Sequence, residues 1–516
     1  MIFSSYSFVL AFLPLVLAGV AVLQPLGRRV VLVFLILASL VFYGWWNWHY
    51  LWVPLASIAF NHAAGHLIVA ARDGGRARRA AWLTALGVAG NLAFLAVFKY
   101  GLFAVSNANW AFGASMGWWQ IALPLGISFF TFQQIAYLID LKRGDVESHD
   151  LVGYMLFVTF FPQLIAGPIV HHREMMPQFE SGRAGRLDAG LAARGLAIFV
   201  VGLAKKVLIA DHVSAYVGPV FDAAEAGVAV PLLEAWAGAL SYSFQIYFDF
   251  SAYCDMAIGI GLMFGVRLPV NFFSPYKASG PIEFWRRWHI TLSRFLRDYL
   301  YFPLGGNRKG PARRYANLMI VMVLGGLWHG AGWTFVFWGL LHGGALALND
   351  LWRSLRGVEA PARGWMRPPA VLACFLFVTV AWVFFRAGSM EGAASILTGM
   401  AGGHGVVLPA SYAGHLGPLA DLFAGWGWRF EEVWLHQGST QALWLAGLAA
   451  IAWFLPNTLQ WAAYDPDPAA GEAAAAGRWR LLVWRPSVPW ALALSLLGLV
   501  CLVFMSRTGE FLYFRF

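Results

Sequence analysis

The sequence predicts an all-α protein that crosses a membrane many times. Three observations carry that expectation. Of 516 residues, 59% are hydrophobic and 12% are charged, about half the charge fraction of a soluble domain. Many apolar runs approach or exceed the roughly 20 residues that span a bilayer. Lysine and arginine gather in alternate loops, the pattern that sets orientation in a membrane. The net charge of +10 therefore belongs to loop topology and does not point to nucleic acid. Cys254, Cys374 and Cys501 lie in or beside apolar segments with no paired spacing. Neither a disulfide framework nor a zinc site is indicated. Cys254 as an acyl-carrying nucleophile is an alternative that the sequence does not favour.

Residues 7–23 read as a first span. They lack a basic leader and more spans follow at once, so a cleaved signal is not expected. Residues 30–46 form a second span that ends in the aromatic belt residues Tyr43, Trp45 and Trp46. Residues 51–71 form a third, in which His62 and His66 share a helical face with Asn61 nearby. That pair reads as a polar seam against neighbouring helices, since no third metal ligand accompanies it. Residues 81–102 form a fourth span with Lys99 near its end, where a lysine can snorkel to the surface. The fifth covers residues 124–141. Arg28–Arg29, residues 72–79 and Lys142–Arg143 lie in the odd loops, while the even loops hold no lysine or arginine. The odd loops are therefore expected in the cytoplasm and the N-terminus outside.

Residues 154–170 contain Pro162, Gly167 and Pro168 and predict a broken or re-entrant element. Residues 191–209 end in Lys205 and Lys206 and read as a segment that dips. Residues 228–247 and 252–264 flank a polar knot of Asp249, Ser251, Tyr253 and Asp255. Buried carboxylates need partners, and Lys277 or an arginine of residues 286–297 is expected to serve, unless the aspartates cap helix ends. Residues 371–385, 442–455 and 488–505 are further spans. The Gly-rich residues 403–440, with Trp426, Trp428 and Trp434, are expected along a membrane surface. Residues 465–485 read as a polar loop with Arg478, Arg480 and Arg485. No soluble domain stands out, so residues 1–516 are drawn as one integral-membrane domain with its core at about 242–349.

The most informative stretch runs from residue 271 to 342. Its first half predicts one helix over residues 281–299, begun by Pro281. Trp285, Trp288, Leu292, Phe295, Leu296 and Tyr299 fall on one face, and Arg286, Arg287, Arg294 and Arg297 on the other, with His289 at the seam. Such a helix suits the membrane interface, and its arginines also suit phosphate. Its second half places His329 after an apolar run, among Gly325, Gly326, Gly330, Ala331 and Gly332. An imidazole at membrane depth needs a cavity or a partner, and an apolar setting favours the neutral form that a general base requires. Two readings stay open for His329: a general base, or a structural histidine bonded to a backbone carbonyl.

Here FWRRWHITLSRFLRDYLYFPLGGN (284–307) and LGGLWHGAGWTFVFWGLLHG (324–343) resemble the core of the membrane-bound O-acyltransferase family. The likeness is greatest to the bacterial branch that includes the membrane subunit of alginate O-acetylation and the D-alanyl transferase of teichoic acids. LPLGISFFTFQQIAYLID (123–140), FFPQLIAGPI (160–169), YSFQIYFDFSAYCDMAIG (242–259) and the final FLYFRF support it. The sequence departs from the branch at Ala252, where glycine is usual, and at Cys254, where serine or threonine is usual.

The resemblance implies a ring of about eleven to thirteen transmembrane and re-entrant helices around a central tunnel. It implies that His329 is the essential histidine and that His289 lines the same passage. The expected reaction is O-acetylation of an extracytoplasmic or secreted polysaccharide such as alginate. Acetyl-CoA, or another acyl thioester, serves as cytoplasmic co-substrate, with no bound cofactor and no metal. A periplasmic acetyltransferase, a polysaccharide biosynthesis complex and membrane lipids are the expected partners in a bacterial inner membrane. Arg286, Arg287, Arg294, Tyr276, Lys277, Trp285, Trp328 and Asn307 are candidates for holding the donor. His342, thirteen residues beyond His329, is assigned to another helical face and a structural role. Three other readings compete: D-alanyl transfer, a transporter, which would carry inverted repeats, and a structural subunit of a synthase, for which neither histidine would matter.

Overall fold

The computed structural model describes all residues except 120–121, 148–149, 358–363, 432–434, 436–437, 466–481, 508, 510 and 513–516. Most of the expected loop at 465–485, together with Trp434 and the last four residues, lies outside the described residues. The described chain is almost wholly helical. Five helical stretches are long and apolar enough to cross a membrane. Elements used below are α1 (Ser7–Leu26), α2 (Arg28–Gly44), α3 (Trp48–Asp73), α4 (Ala77–Phe112), α5 (Ile127–Arg143), α6 (Leu151–Thr159), α7 (His172–Glu180), α8 (Ala189–Ala204) and α9 (Leu232–Met263). They continue with α10 (Pro281–Trp285), α11 (Ile290–Leu296), α12 (Pro311–His329), α13 (Trp333–Arg356) and α14 (Gly364–Arg386). The break expected within residues 154–170 is present, because α6 stops at Thr159 and a four-residue helical turn, Phe161–Leu164, follows.

The axis of the fold is α9. The sequence divides this region into two spans around a polar knot, but the structure has one continuous helix of 32 residues, buried along its length. It stays continuous because its carboxylates find cations on the adjoining chain. Lys205 Nζ lies 2.7 Å from Asp255, and Lys206 Nζ lies 3.0 Å from Asp249 and 2.7 Å from Asp211. Asp249 also accepts the Leu512 N–H at 2.9 Å, which ties the chain's end to the core. These partners replace the expected Lys277 and arginines, and neither aspartate caps a helix end. Lys277 instead donates to the Leu455 carbonyl at 2.5 Å. Close packing of α8 on α9 depends on facing glycines. A methyl group on Gly195 would stand 2.5 Å from the Gly259 carbonyl oxygen.

A second polar seam joins α3, α4 and α5. Asn61 and Asn91 exchange side-chain hydrogen bonds of 3.0 and 2.6 Å, and Gln134 donates to Ser57 at 2.6 Å. His62 and His66 face each other, Nε2 to Nε2, at 3.1 Å. Among the described residues no group of three or more His, Cys, Asp or Glu is placed to hold a metal.

The arginine-bearing loops meet on one face of the molecule. Arg28 donates to the Glu180 carbonyl, Arg72 to the Leu141 carbonyl at 2.7 Å and Arg143 to the Asp298 carbonyl at 3.4 Å. This is called the basic face below. Residues 403–440 contain described helices and strands. Two short helices, Ala410–Leu416 and Pro418–Gly425, sit between strands Val407–Pro409 and Arg429–Glu431, which pair in parallel with Val407 opposite Arg429.

Removing one partner of a buried ion pair leaves an uncompensated charge and costs about 3–5 kcal/mol. Lys206→Ala is therefore expected to lower the thermal midpoint of the detergent-solubilised protein sharply. The double variant Lys206→Met/Asp249→Asn should recover much of the loss. Equal midpoints for Lys206→Ala and wild type would contradict this role for the pair.

Candidate active site

The helix expected over residues 281–299 is broken in the structure. α10 ends at Trp285, and α11 begins only at Ile290. His289 occupies the break with φ +43° and ψ +53°, a left-handed conformation that is uncommon outside glycine. The non-helical segment 271–273 accounts for the break. The Phe273 N–H donates to the Arg287 carbonyl at 2.9 Å, and the Ile290 N–H to the Asn271 carbonyl at 3.0 Å. These bonds take the place of helical ones. The turn sends Trp285 and Trp288 into the core rather than into an interfacial layer, and Trp288 packs against Phe284 and Trp382.

His289 is fully buried. Its Nδ1 lies 3.1 Å from Asn271 Oδ1, which also accepts the Thr291 hydroxyl at 2.9 Å. Asn271 Nδ2 donates to Cys254 Sγ at 3.3 Å. With the amide oxygen as acceptor, Nδ1 of His289 carries the proton and the lone pair sits on Nε2.

His329 is the last residue of α12, and Gly330–Gly332 turn the chain back into α13. The two helices pack closely because Gly326 and Gly339 are bare: a methyl group on either would collide with a backbone carbonyl of the other helix. The buried His329 ring lies 6.1 Å from His289 and 5.2 Å from both Trp338 and Phe385, centroid to centroid. The expected passage-lining pair is thus brought together.

His342 is nearer than the spacing argument allows. That argument treats residues 329–342 as one helix, but the turn at 330–332 reverses the chain. His342 lies 4.7 Å from Trp338, which itself touches His329, and its Nδ1 accepts from Trp285 Nε1 at 3.3 Å.

Two cavities lie near this cluster: His329 lines the first, and Trp285 links the cluster to the second. A narrow one of about 40 Å³ touches His329 and Trp328 and is bounded by Lys99, Pro124, Gly126 and Ser128. It has room for about three waters. A wide one of about 1100 Å³ carries Arg286, Arg294, Arg297, Arg314 and Arg353, over apolar walls that include Trp285, Leu296 and Met322. Through Arg294 and Arg297 it adjoins the basic face. Trp285 is shared between the wide cavity and the histidine cluster.

The other candidates are dispersed. Arg287 is held by Glu283 at 2.9 Å. Burial alone would raise the Glu283 carboxyl, but the Ser279 N–H and hydroxyl and the Arg287 guanidinium outweigh it and hold that carboxyl below its ordinary range. Arg294 reaches Glu174 at 2.6 Å while still lining the wide cavity. Tyr276 is buried, its hydroxyl on the Ser243 carbonyl at 2.5 Å. Lys277 and the exposed Asn307 do not line the wide cavity.

Sequence reasoning missed Lys99, Asn271, Arg314 and Arg353. Lys99 does not snorkel outward. Its Nζ donates inward to the carbonyls of Trp328 at 2.6 Å and His329 at 3.0 Å. The signal available for it was its isolation: it is the one lysine of an otherwise uncharged run.

Residues 77–391 match the family model of MBOAT, the membrane-bound O-acyltransferase family. The chain belongs to that family. It is an acyltransferase, and His289, His329 and Lys99 all fall within the matched region. It is 45% identical to a peptidoglycan O-acetyltransferase of Helicobacter pylori, over 79% of this chain and 81% of the relative. It is 46% identical to a probable alginate O-acetylase AlgI of Azotobacter vinelandii, over 76% of each chain. A teichoic acid D-alanyltransferase of Streptococcus thermophilus is 24% identical, over 51% of this chain and 68% of the relative.

In this acyltransferase Cys254 is buried and serves as an acceptor for Asn271. An apolar, buried thiol lacks thiolate character. Cys254→Ala is expected to keep acyl transfer within about twofold of wild type, measured as ester-linked acyl groups in complemented cells. Loss of transfer by that substitution, at matched expression, would restore the acyl-cysteine alternative.

Proposed function

We propose that the chain is a membrane O-acetyltransferase that modifies a polysaccharide on the far side of a bacterial cytoplasmic membrane. The observation that carries this reading is the position of His329. It is buried in the wall of a narrow cavity beside Lys99 and Pro124, and Trp338 and Trp285 connect it to a wide cationic cavity adjoining the basic face. The positive-inside rule assigns the basic face to the cytoplasm and the N-terminus to the outside. In this reading one integral-membrane unit of about eleven to thirteen membrane segments encloses a passage with His329 midway.

The donor is a thioester, acetyl-CoA, whose phosphates suit the arginines of the wide cavity. Arg286, Arg294, Arg297, Arg314 and Arg353 support this better than Arg287, which does not line that cavity. The acceptor is a sugar hydroxyl, or a periplasmic acetyltransferase of a polysaccharide biosynthesis complex that relays the group.

His329 takes the proton of the acceptor hydroxyl as its oxygen attacks the acetyl carbonyl. The carbon–sulfur bond then breaks, and the leaving thiolate recovers the proton. His289, oriented by Asn271, lines the same passage and holds the reacting groups in line. The large anionic carrier stays on the cytoplasmic side, and only the acetyl group crosses.

Relatives named for peptidoglycan and for alginate match about equally well, and their common chemistry is an acetyl ester on a sugar hydroxyl. The D-alanyl reading has weaker support, since its relatives match over half of the chain at 24–25% identity.

The test uses a deletion strain complemented with wild type, His329→Ala or His289→Ala at matched membrane expression. Envelope and secreted glycans are treated with mild base and the released acids quantified. Loss of a general base removes about 10²–10⁴ of the rate, so His329→Ala should release almost no acetate above the deletion background. Full acetylation by His329→Ala would sink the mechanism. Released D-alanine in place of acetate would favour the runner-up.

A further inference from the structure

We propose that Lys99 and Tyr100 form the C-terminal cap of the His329 helix and so act as positioning residues for His329; this rests on the O-acetyltransferase reading. A helix leaves its last four carbonyls without intrahelical partners. Helices commonly resolve this with a left-handed glycine that folds the following N–H groups back. α12 does not end that way. Gly330 is extended, with φ −155° and ψ 146°, and of the last four carbonyls only that of Gly326 receives a backbone N–H, from Gly330 at 3.2 Å. The carbonyls of Leu327, Trp328 and His329 are met from another helix instead.

Water serves exposed helix ends, but it is scarce in a membrane interior. α4 supplies the missing donors. The Tyr100 hydroxyl donates to the Leu327 carbonyl at 2.7 Å. The Lys99 ammonium donates to those of Trp328 at 2.6 Å and His329 at 3.0 Å, with Ser128 Oγ at 3.4 Å. All three carbonyls are thus met by two consecutive residues of another helix.

Two consecutive helical residues point about 100° apart and do not ordinarily address one target. Here the segment Ala96–Tyr100 is wound as a π-helix, a local irregularity that is frequent at functional sites. The lysine charge also complements the negative end of the α12 dipole. Because Lys99 holds the carbonyl of His329 itself, it fixes the backbone from which the imidazole projects. It also walls the narrow cavity into which His329 opens.

The experiment compares Lys99→Met, Lys99→Arg and Tyr100→Phe with wild type and His329→Ala. Two readouts are taken at matched membrane expression: base-released glycan acetate, and hydrogen exchange of backbone amides across residues 322–334 in purified protein. A misplacement of about 1 Å costs about 10²-fold in rate. Lys99→Met should lose acetate by about that factor and speed exchange at residues 326–332 about tenfold. Lys99→Arg keeps a charged donor and should recover most of both, and Tyr100→Phe should show a smaller loss of each. Acetylation by Lys99→Met within about twofold of wild type would overturn the cap, as would lost acetylation with unchanged exchange. If wild type itself restores no acetate, the acetyltransferase reading fails, and the exchange data alone decide whether the cap exists.

Discussion

A polar group inside an apolar slab must find its partner within the protein, and much of this structure follows from that constraint. Five carboxylate and lysine positions on α9 and the chain that follows α8 form a closed set: Lys205 with Asp255, and Lys206 with Asp249 and Asp211. Asn61 and Asn91 satisfy each other between α3 and α4. Asn271 serves His289, Thr291 and Cys254 at once. Each of these groups joins segments that are distant in sequence. Polar satisfaction therefore fixes the arrangement of helices that apolar packing alone would leave free to slide or rotate.

The same constraint explains where helices break. A break exposes backbone groups, so it survives only where something else claims them. At His289 the claimant is the non-helical segment 271–273. At the end of α12 it is Lys99 and Tyr100. Both breaks sit beside an imidazole, and both bring that imidazole to a position no regular helix would give it. The two rings come within 6.1 Å from segments that are forty residues apart in sequence.

This also decides which features were readable from the chain. Spans, basic loops and the broken element at 154–170 rest on composition and on proline placement, which are local. The histidines were readable because an imidazole in an apolar run is conspicuous. The break within 281–299 was not, because residues 281–299 alone keep helical periodicity and the competing hydrogen bonds come from Asn271 and Phe273. α9 was divided for a related reason. Asp249 and Asp255 look like helix ends until Lys205 and Lys206 are seen beside them. His342 was misplaced by counting residues through a turn that two glycines make. Lys99 has the sequence signature of a snorkelling side chain, and only the uncapped end of α12 reveals why it turns inward.

The two cavities differ in a way that matters for group transfer. The wide one holds five arginines, yet Arg294, Arg297 and Arg314 are already engaged by Glu174, Asp298 and Asp350. Such pairs at a part-exposed wall contribute little to stability. A polyanion entering this cavity can therefore exchange for the carboxylates at small cost, gaining charge-assisted contacts without demanding a preformed vacant site. The narrow cavity has the opposite character. It is tight, its one ammonium is committed to carbonyls, and it admits little beyond a few waters or a single small group. The larger cavity has the room and the charge to suit a large phosphorylated group, and the smaller has no such room.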